Sequence, residues 1–293
     1  MSVLAQHLAA IATQDGPNAT HLKGVYAFKA SQSSGRVPLC YSQGVIIIAQ
    51  GSKQVYFNEQ VHDYNPDNYL VLTLPLPAEC ATAVEPGKPL YSLVIDFDMS
   101  QLTELVRLFD QHHQSATCNS VQEAKGLYVS RMSHDLSDAV NRLAACLNSP
   151  LQCDALGQSL VREVLYHLLQ GPQAASLFAL VSHNTQLARL ERVLKYLHEH
   201  YQDPLDIDHL AEMANMSSST FHRNFKQMTA SSPIQYVKKL RLSRARELLQ
   251  DQGIKVKQAA AQVGYESPSQ FSREFKRYFG ESPQMAGQAV GAR

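Results

Sequence analysis

Two ten-residue segments near the C-terminal end share one pattern of polar and apolar positions. The pattern S-x-S-x-F-x-R-x-F-K occurs at residues 217–226 and returns 50 positions later at residues 267–276. The two phenylalanines of each copy are four residues apart and share one face of a helix, while the arginine and small polar side chains take the opposite face. The pattern predicts two amphipathic helices, each with a packing face and a face open to a partner.

Each copy follows a short alanine-bearing segment, residues 210–214 or 259–263, and a residue suited to a left-handed backbone, Asn215 or Gly264. A serine precedes each repeated helix and can cap it. Helix, tight turn and helix form the unit that many DNA-binding proteins place in the major groove. The alternative is a duplicated helical hairpin that only packs. Outward arginines at equivalent positions of both copies favour DNA reading.

Residues 233–250, between the copies, carry apolar side chains at helical spacing and predict a long helix. A rigid helix fixes the distance between the repeated helices, as two major-groove segments about 34 Å apart require. Its basic residues either contact phosphates or form a solvated face whose stems cover apolar surface. Two of them, Arg241 and Arg246, can instead hold the helix against its neighbours. The basic residues are Lys238, Lys239, Arg241, Arg244 and Arg246.

In this region the chain resembles the AraC/XylS family of bacterial transcription regulators, whose C-terminal domain has two helix-turn-helix units joined by a long helix. The similarity covers about residues 187–285. It rests on Asp206-Ile-Asp-His-Leu-Ala, Met216-Ser-Ser-Ser-Thr-Phe-His-Arg-Asn-Phe-Lys, Tyr236…Leu240-Arg-Leu…Ala245, Gly264-Tyr-Glu-Ser, Phe271-Ser-Arg-Glu-Phe-Lys, Phe279-Gly and Ser282-Pro.

The resemblance implies that the start of each second helix contacts base edges, and that RNA polymerase is a partner beside double-stranded DNA. Both copies have serine at the first base-contact position, so we expect weaker, water-mediated contacts there. The implied base contacts are Ser219, His222, Arg223, Ser269, Ser272 and Arg273. We expect phosphate contacts from Ser218, Lys226, Lys238, Lys239, Lys276 and Arg277.

Composition agrees with two domains of opposite charge. The chain has 293 residues, more than a usual single domain, and 44% are hydrophobic. From residue 189 onward, 16 Lys and Arg face 11 Asp and Glu, a net charge of +5, while residues 1–188 have 10 against 15, a net charge of −5. The basic half contains the repeat, as attraction to phosphates requires.

Targeting signals and cysteine chemistry are not evident. No stretch reaches the ~18 apolar residues of a membrane helix, and the first residues lack the basic start of a signal peptide, so we expect a cytoplasmic protein. Five scattered cysteines lack zinc spacing, and we expect reduced core thiols, with a redox-sensing thiol left open. They are Cys40, Cys80, Cys118, Cys146 and Cys153.

Short β-branched and aromatic runs dominate the first hundred residues, at 45–49, 54–57, 69–74 and 90–97, with turn residues between them. Such runs predict a β-barrel or sandwich. In the last run Tyr91, Leu93, Ile95 and Phe97 share one face, which predicts a concave apolar interior. Residues 20–180 also resemble an AraC-type N-terminal domain, through residues 47–53, 64–72 and 74–77. This resemblance implies a small cupin-like β domain followed by helices.

A metal enzyme built on a cupin-like barrel would need about three converging His or carboxylate ligands. The strand region offers only His62, with Glu59 and Asp63 beside it in a predicted turn, and His112 and His113 follow on a helix or loop. We therefore expect no metal, no cofactor and no catalysis, but a pocket that binds a small effector. Its polar groups are expected to be Tyr41, Tyr56 and Tyr91; a filled barrel without a pocket is the alternative.

Two helices follow the strands in the prediction. In residues 136–147 the apolar positions 136, 140, 143 and 147 form a seam, which either makes a dimer contact or packs against the chain's own β domain. The second helix, residues 155–170, ends at Gly171-Pro172.

The sequence thus predicts an α+β protein. Residues 1–181 form an effector-sensing or dimerisation domain, 182–186 a linker and 187–293 a DNA-binding domain. The helix-turn-helix units lie at about 206–229 and 255–278, joined by a helix at about 233–250. The predicted function is sequence-specific transcription regulation, with a small-molecule effector and a possible homodimer. The alternatives are a cupin-type metal enzyme, a non-specific architectural DNA binder, and a DNA-repair methyltransferase, whose zinc-binding cysteine cluster is absent from the sequence.

Overall fold

The structure, a computed structural model, describes residues 1–112, 124–182, 185–251 and 253–288. His113 and Cys118 lie outside these residues, as do two residues of the predicted linker, 183 and 184. The chain divides into two compact units. The first comprises residues 1–36, 42–76 and 80–188, and the second comprises residues 37–41, 77–79 and 189–293.

Ten β-strands form two sheets within the described residues. The six-stranded sheet has the order β1-β2-β9-β4-β7-β10, and the four-stranded sheet has the order β3-β8-β5-β6. The strands are β1 (Gly16–Ala19), β2 (Val25–Ala30), β3 (Ser34–Tyr41), β4 (Gly44–Gln50), β5 (Ser52–Phe57), β6 (Gln60–Tyr64), β7 (Asn68–Leu72), β8 (Leu76–Ala83), β9 (Leu90–Asp96) and β10 (Leu127–Arg131).

The α+β class is confirmed, but the predicted barrel is not closed. Over the described part of the chain, β1 and β10 are the edges of the larger sheet, and β3 and β6 are the edges of the smaller one. Two open sheets therefore replace a single closed barrel. Local patterns of alternation specify strands but not closure, which depends on how many strands pair and with what stagger.

A two-residue turn joins β5 to β6. Asn58 and Glu59 have φ angles of 50° and 63°, both left-handed, as the central residues of a type I′ hairpin require. Because this turn is so short, the chain resumes its strand at Gln60. His62 and Asp63 consequently lie in β6, where His62 pairs with Val55, and the prediction that they occupy a turn is wrong.

Helices cover one face of the larger sheet. Residues directly opposite each other on antiparallel strands share a face, so Tyr69, Ile47 and Leu93 lie in one row. The Tyr69 hydroxyl reaches Gly171, where an added Cβ would lie 2.8 Å from it. Tyr91 and Ile95 belong to the same face as Leu93, which is therefore the helix-covered face.

The opposite face of the larger sheet is turned toward the smaller sheet. Lys53 of β5 places its ammonium 3.8 Å from the centre of the Phe28 ring on β2, and Phe28 pairs with Ser92. Tyr91, Leu93 and Ile95 thus face the helices and not the smaller sheet. Both faces of β9 are covered, so apolar residues occur in both rows and alternation does not distinguish them.

The first unit contains helices α1 (Val3–Ile11), α2 (Met99–Gln111), α3 (His134–Cys146), α4 (Pro150–Leu169) and α5 (Ala175–Val181). The seam residues Leu136, Val140, Leu143 and Leu147 are 1%, 0%, 0% and 4% exposed. Helix α3 packs against α1 and α4. The seam is therefore buried inside the chain, where α3 packs against helices, and it is not free for a dimer contact.

From residue 186 onward the described chain is helical, with α6 (Gln186–Glu199), α7 (Ile207–Met213), α8 (Ser218–Thr229), α9 (Pro233–Asp251), α10 (Val256–Gln262), α11 (Pro268–Phe279) and α12 (Pro283–Gln288). Its core includes the four repeated phenylalanines, Phe221, Phe225, Phe271 and Phe275, each 0% exposed. Among the described residues, no helix is both long and apolar enough to span a bilayer.

Candidate nucleic-acid interface

The two repeated segments form α8 and α11, and both begin as the sequence predicts. Ser217 Oγ accepts a hydrogen bond from the Thr220 amide at 3.4 Å, and Ser267 Oγ accepts one from the Gln270 amide at 3.3 Å. These bonds satisfy amides that have no partner within the helix. The turn before each helix contains a left-handed residue, Asn215 with φ 52° or Gly264 with φ 82°.

Aromatic contacts hold each of these helices by its inner face. The Phe221 and Phe225 rings of α8 lie 5.4 Å apart, and Phe225 meets the Tyr236 ring of α9 edge-on at 5.5 Å. In α11 the Phe271 and Phe275 rings lie 5.5 Å apart. Such pairs favour offset or edge-to-face geometry at these separations. The inner faces are therefore fixed, and the outer faces are presented rigidly.

The outer faces carry the predicted base-contact residues. Ser219, His222, Arg223, Ser269 and Arg273 are exposed, whereas Ser272 is half-buried and donates to the Pro268 carbonyl at 2.9 Å. Arg223 and Arg273 form no hydrogen bond or ion pair with any described residue. An arginine so placed keeps all five of its donors for an external acceptor.

The predicted phosphate contacts fall into two groups. Lys226, Lys276 and Arg277 are exposed and have no ion pair within the described chain. The others have internal partners. Lys238 pairs with Glu274 at 3.1 Å, Lys239 donates to Ser231 at 3.0 Å, and Ser218 donates to Asp208 at 2.7 Å.

Arg241 of α9 holds the second helix-turn-helix unit in place. Its guanidinium donates to the carbonyls of Tyr201 at 2.6 Å, Asp203 at 2.8 Å, Gly264 at 3.1 Å and Gln202 at 3.2 Å. Hydrogen bonds from a charged donor are stronger than neutral ones. One side chain thus joins α9, the loop after α6 and the turn between α10 and α11, which confirms the interpretation that Arg241 holds the helix against its neighbours.

Arg246, farther along α9, serves the same purpose. It pairs with Glu281 at 3.3 Å and lies 4.7 Å from the centre of the Phe279 ring. This contact joins α9 to the C-terminal end of α11, and it confirms the corresponding interpretation of Arg246.

Glu274 is a structural group that the sequence did not single out. Its carboxylate accepts from Tyr265 at 2.8 Å and pairs with Lys238. Burial by itself raises the pKa of this carboxyl, but the hydrogen bonds from Tyr265 and Lys238 outweigh burial and hold the pKa below its usual range. The charged carboxylate therefore connects α9 to α11. Its spacing of 36 residues from Lys238 leaves no local sequence signal.

The predicted effector tyrosines are not brought onto one face. Tyr56 lies on the face of β5 that carries Gln54, to which its hydroxyl donates at 2.7 Å, and the Arg36 guanidinium lies 4.3 Å from its ring centre. Tyr91 lies on the helix-covered face of β9, and Tyr41 is buried at the end of β3. The assignment of these three tyrosines to an effector pocket remains a prediction from the sequence.

Known proteins share both halves of the chain. Residues 21–176 match the model of the AraC-type transcriptional regulator N-terminus, and residues 210–287 match a helix-turn-helix domain model. The transcriptional activator RhaS of Escherichia coli is 32% identical over 165 residues, which cover 55% of this chain and 59% of RhaS. The match thus spans less than two thirds of that relative.

Solved structures of ToxT from Vibrio cholerae share the fold. One has a TM-score of 0.60 at 14% identity and covers 89% of this chain and 96% of ToxT. A second, with unsaturated fatty acid bound, has a TM-score of 0.60 at 12% identity and covers 92% and 96%. Because the first family model matches more than half of the 293 residues, the chain belongs to the AraC-type transcriptional regulators.

Proposed function

We propose that the protein is a sequence-specific DNA-binding transcription regulator that reads two major-groove segments with α8 and α11. The observation that carries this proposal is the pair Arg223 and Arg273. Each is exposed, has no partner among the described residues and occupies the same position on a capped helix. An arginine can donate two hydrogen bonds to a guanine edge, the commonest specific contact in the major groove.

The rigidity of α9, which joins the two helix-turn-helix units, supports the proposal that α8 and α11 contact one DNA site. Arg241 and Arg246 lock α9 to the second helix-turn-helix unit, and Phe225 packs on Tyr236 of the same helix. A fixed separation of the reading helices suits groove segments about ten base pairs apart, with some bending of the DNA. The exposed Lys226, Lys276 and Arg277 then supply phosphate contacts.

The proposal assigns effector binding to the N-terminal unit and no catalytic reaction to the chain. The related RhaS is a transcriptional activator, and ToxT binds unsaturated fatty acid and (E)-4-(8-methylnaphthalen-1-yl)but-3-enoic acid. These properties support transcription activation and small-molecule control here. RNA polymerase as a partner, a homodimer and a cytoplasmic location belong to the same proposal.

The test is a binding selection from randomised DNA with full-length protein and two variants, Arg223→Ala and Arg273→Ala. Each substitution should cost about 1–3 kcal/mol and relax preference only at the bases its arginine contacts. The matched control is Arg192→Ala, which removes an exposed arginine of α6 outside the repeat. Identical changes in the recovered motif from both variants, or none from either, would contradict reading by two helices.

A further inference from the structure

A buried lysine with no counter-ion in the described part of the chain lies between the two sheets of the N-terminal unit. Lys53 of β5 is only 6% exposed, and its ammonium lies 3.8 Å from the centre of the Phe28 ring. No described residue forms an ion pair or a hydrogen bond with this ammonium. Desolvation by burial lowers the pKa of Lys53, and the nearby Cys80 opposes it without outweighing it. A cation in this position is incompletely compensated.

A second unsatisfied donor lies on the other side of the pairing with Phe28. Ser92 of β9 pairs directly with Phe28, so both side chains point to the face that Lys53 covers. Ser92 is 0% exposed, and its hydroxyl has no hydrogen-bond partner among the described residues. Buried hydroxyls nearly always have a partner, which makes this one informative. Lys53 and Ser92 come from different sheets and are independent observations.

Most residues around these two donors are apolar, and His62, opposite Val55, shares the face of Lys53. On the face of Lys53, Val55 and Tyr64 are each 0% exposed, and on the face of Ser92, Ile48 is 1% exposed. The Tyr64 hydroxyl lies 3.9 Å from Cys80 Sγ. An ammonium and a hydroxyl can both donate, so an oxygen acceptor with negative charge satisfies both, whereas the walls fit hydrocarbon.

The same face is accessible along one side. Phe28 and the neighbouring pair Tyr26 and Val94 are only partly buried, although they share the face of Ser92. Phe28 is therefore partly open to solvent, whereas the Lys53 ammonium over its ring is buried. An apolar body could therefore pack on Phe28 while its charged end reaches the donors.

We propose that Lys53 and Ser92 form the anion-binding end of the effector site, and that the effector is a small molecule with one carboxylate or comparable anionic group on an apolar body. Lys53 forms the ion pair, Ser92 donates a hydrogen bond, and Phe28 contacts the body. This inference rests on the proposed sensing role of the N-terminal unit and deepens it. Neither residue was singled out by the sequence pattern.

Calorimetric titration of full-length protein, without DNA, tests the site with 4-phenylbutanoate, its neutral analogue 4-phenylbutan-1-ol, and acetate. The wild type should bind the phenyl acid at least about tenfold more tightly than the alcohol or acetate. Lys53→Met should abolish the preference for acid over alcohol. The matched control Lys29→Met removes a lysine next to Phe28 on the opposite face of β2 and should keep the preference.

Equal binding of acid and alcohol to the wild type, or a preference that survives in Lys53→Met, overturns the proposal. Ser92→Val provides a second test that leaves the lysine in place. It should weaken binding of the acid several-fold with no change for the alcohol, and unchanged acid binding would overturn the assignment of Ser92. Because no DNA is present, these outcomes are independent of the DNA selection that tests the reading helices.

Discussion

His198 of α6 is a half-buried histidine whose protonation opposes folding. Its Nε2 lies 2.8 Å from the hydroxyl of Tyr236, a residue 0% exposed. Desolvation by burial, with the charge of Arg244 adding to it, lowers the pKa of His198 from 6.5 to about 4. The sequence separates the two partners by 38 residues, so the contact exists only in the fold.

The His198 pKa predicts a loss of stability in mild acid. Between pH 6.5 and about pH 4 the unfolded chain binds this proton and the folded chain does not, so stability is complete above pH 6.5 and falls as pH falls. We expect this residue to account for about 1 kcal/mol of the loss between pH 7 and pH 5.5. Urea unfolding followed by circular dichroism measures it. His198→Gln should show a correspondingly smaller loss, whereas the exposed control His200→Gln should match the wild type; equal pH dependence in all three would contradict the assignment.

Gly264 is required by both its backbone conformation and its surroundings. Its φ is 82°, and an added Cβ would lie 2.4 Å from the Gln202 carbonyl oxygen. Gly253 is a natural control, because its φ is 60° but nothing lies within 4 Å of an added Cβ. Gly253→Ala should cost about 1–2 kcal/mol, the strain of a left-handed residue. Gly264→Ala should cost clearly more in urea unfolding, and an equal cost would show that the contact with Gln202 yields freely.

At the scale of elements, the contacts of Arg241 predict that its substitution changes base preference at α11 and not at α8. Arg241→Lys keeps the positive charge, but an ammonium cannot donate to four carbonyls that surround a planar guanidinium. The turn before α11 should loosen, so the bases read by α11 should lose preference while those read by α8 keep theirs. Selection from randomised DNA measures both parts of the motif.

The control for this experiment is Arg244→Lys on the same helix, since the ion pair of Arg244 is with Glu247, within α9. This variant should recover the wild-type motif. Relaxed preference across the whole motif in Arg241→Lys would mean that the arginine supports the entire domain and does not position α11 in particular.

The helices α8, α9 and α11 could be predicted from sequence because their information is local. Caps, left-handed turn residues and phenylalanines four apart each act within one or two turns. The partners of Lys238 and Arg241 could not be predicted from sequence. A charged residue on a helix shows the same sequence pattern whether it faces water or a carbonyl from a distant loop. The sequence could not show which face of β9 the helices cover, for a related reason. Because both faces of this strand are covered, apolar residues occur in both rows and alternation does not distinguish them.

At the scale of the whole molecule, charge is divided along the chain. Residues 189–293 have a net charge of +5 and residues 1–188 have −5, so the total of zero understates the attraction of the second unit to DNA. The structure refines this count. Lys238, Arg244 and Arg246 are engaged with Glu274, Glu247 and Glu281, whereas Lys226, Lys276 and Arg277 have no ion pair among the described residues.

This division predicts which lysines determine the salt dependence of DNA binding. Each phosphate contact releases counterions and contributes about −0.9 to the slope of log K against log salt. In full-length protein, Lys226→Gln or Lys276→Gln should reduce the magnitude of that slope by about 1 and weaken binding to all sequences evenly. Lys238→Gln should leave the slope unchanged, because its charge already compensates Glu274. The measurement is affinity for one duplex at several salt concentrations. A slope that falls equally for Lys238→Gln and Lys276→Gln would show that Lys238 leaves Glu274 to contact phosphate in the complex. An unchanged slope for Lys226→Gln and Lys276→Gln would show that other residues make the phosphate contacts.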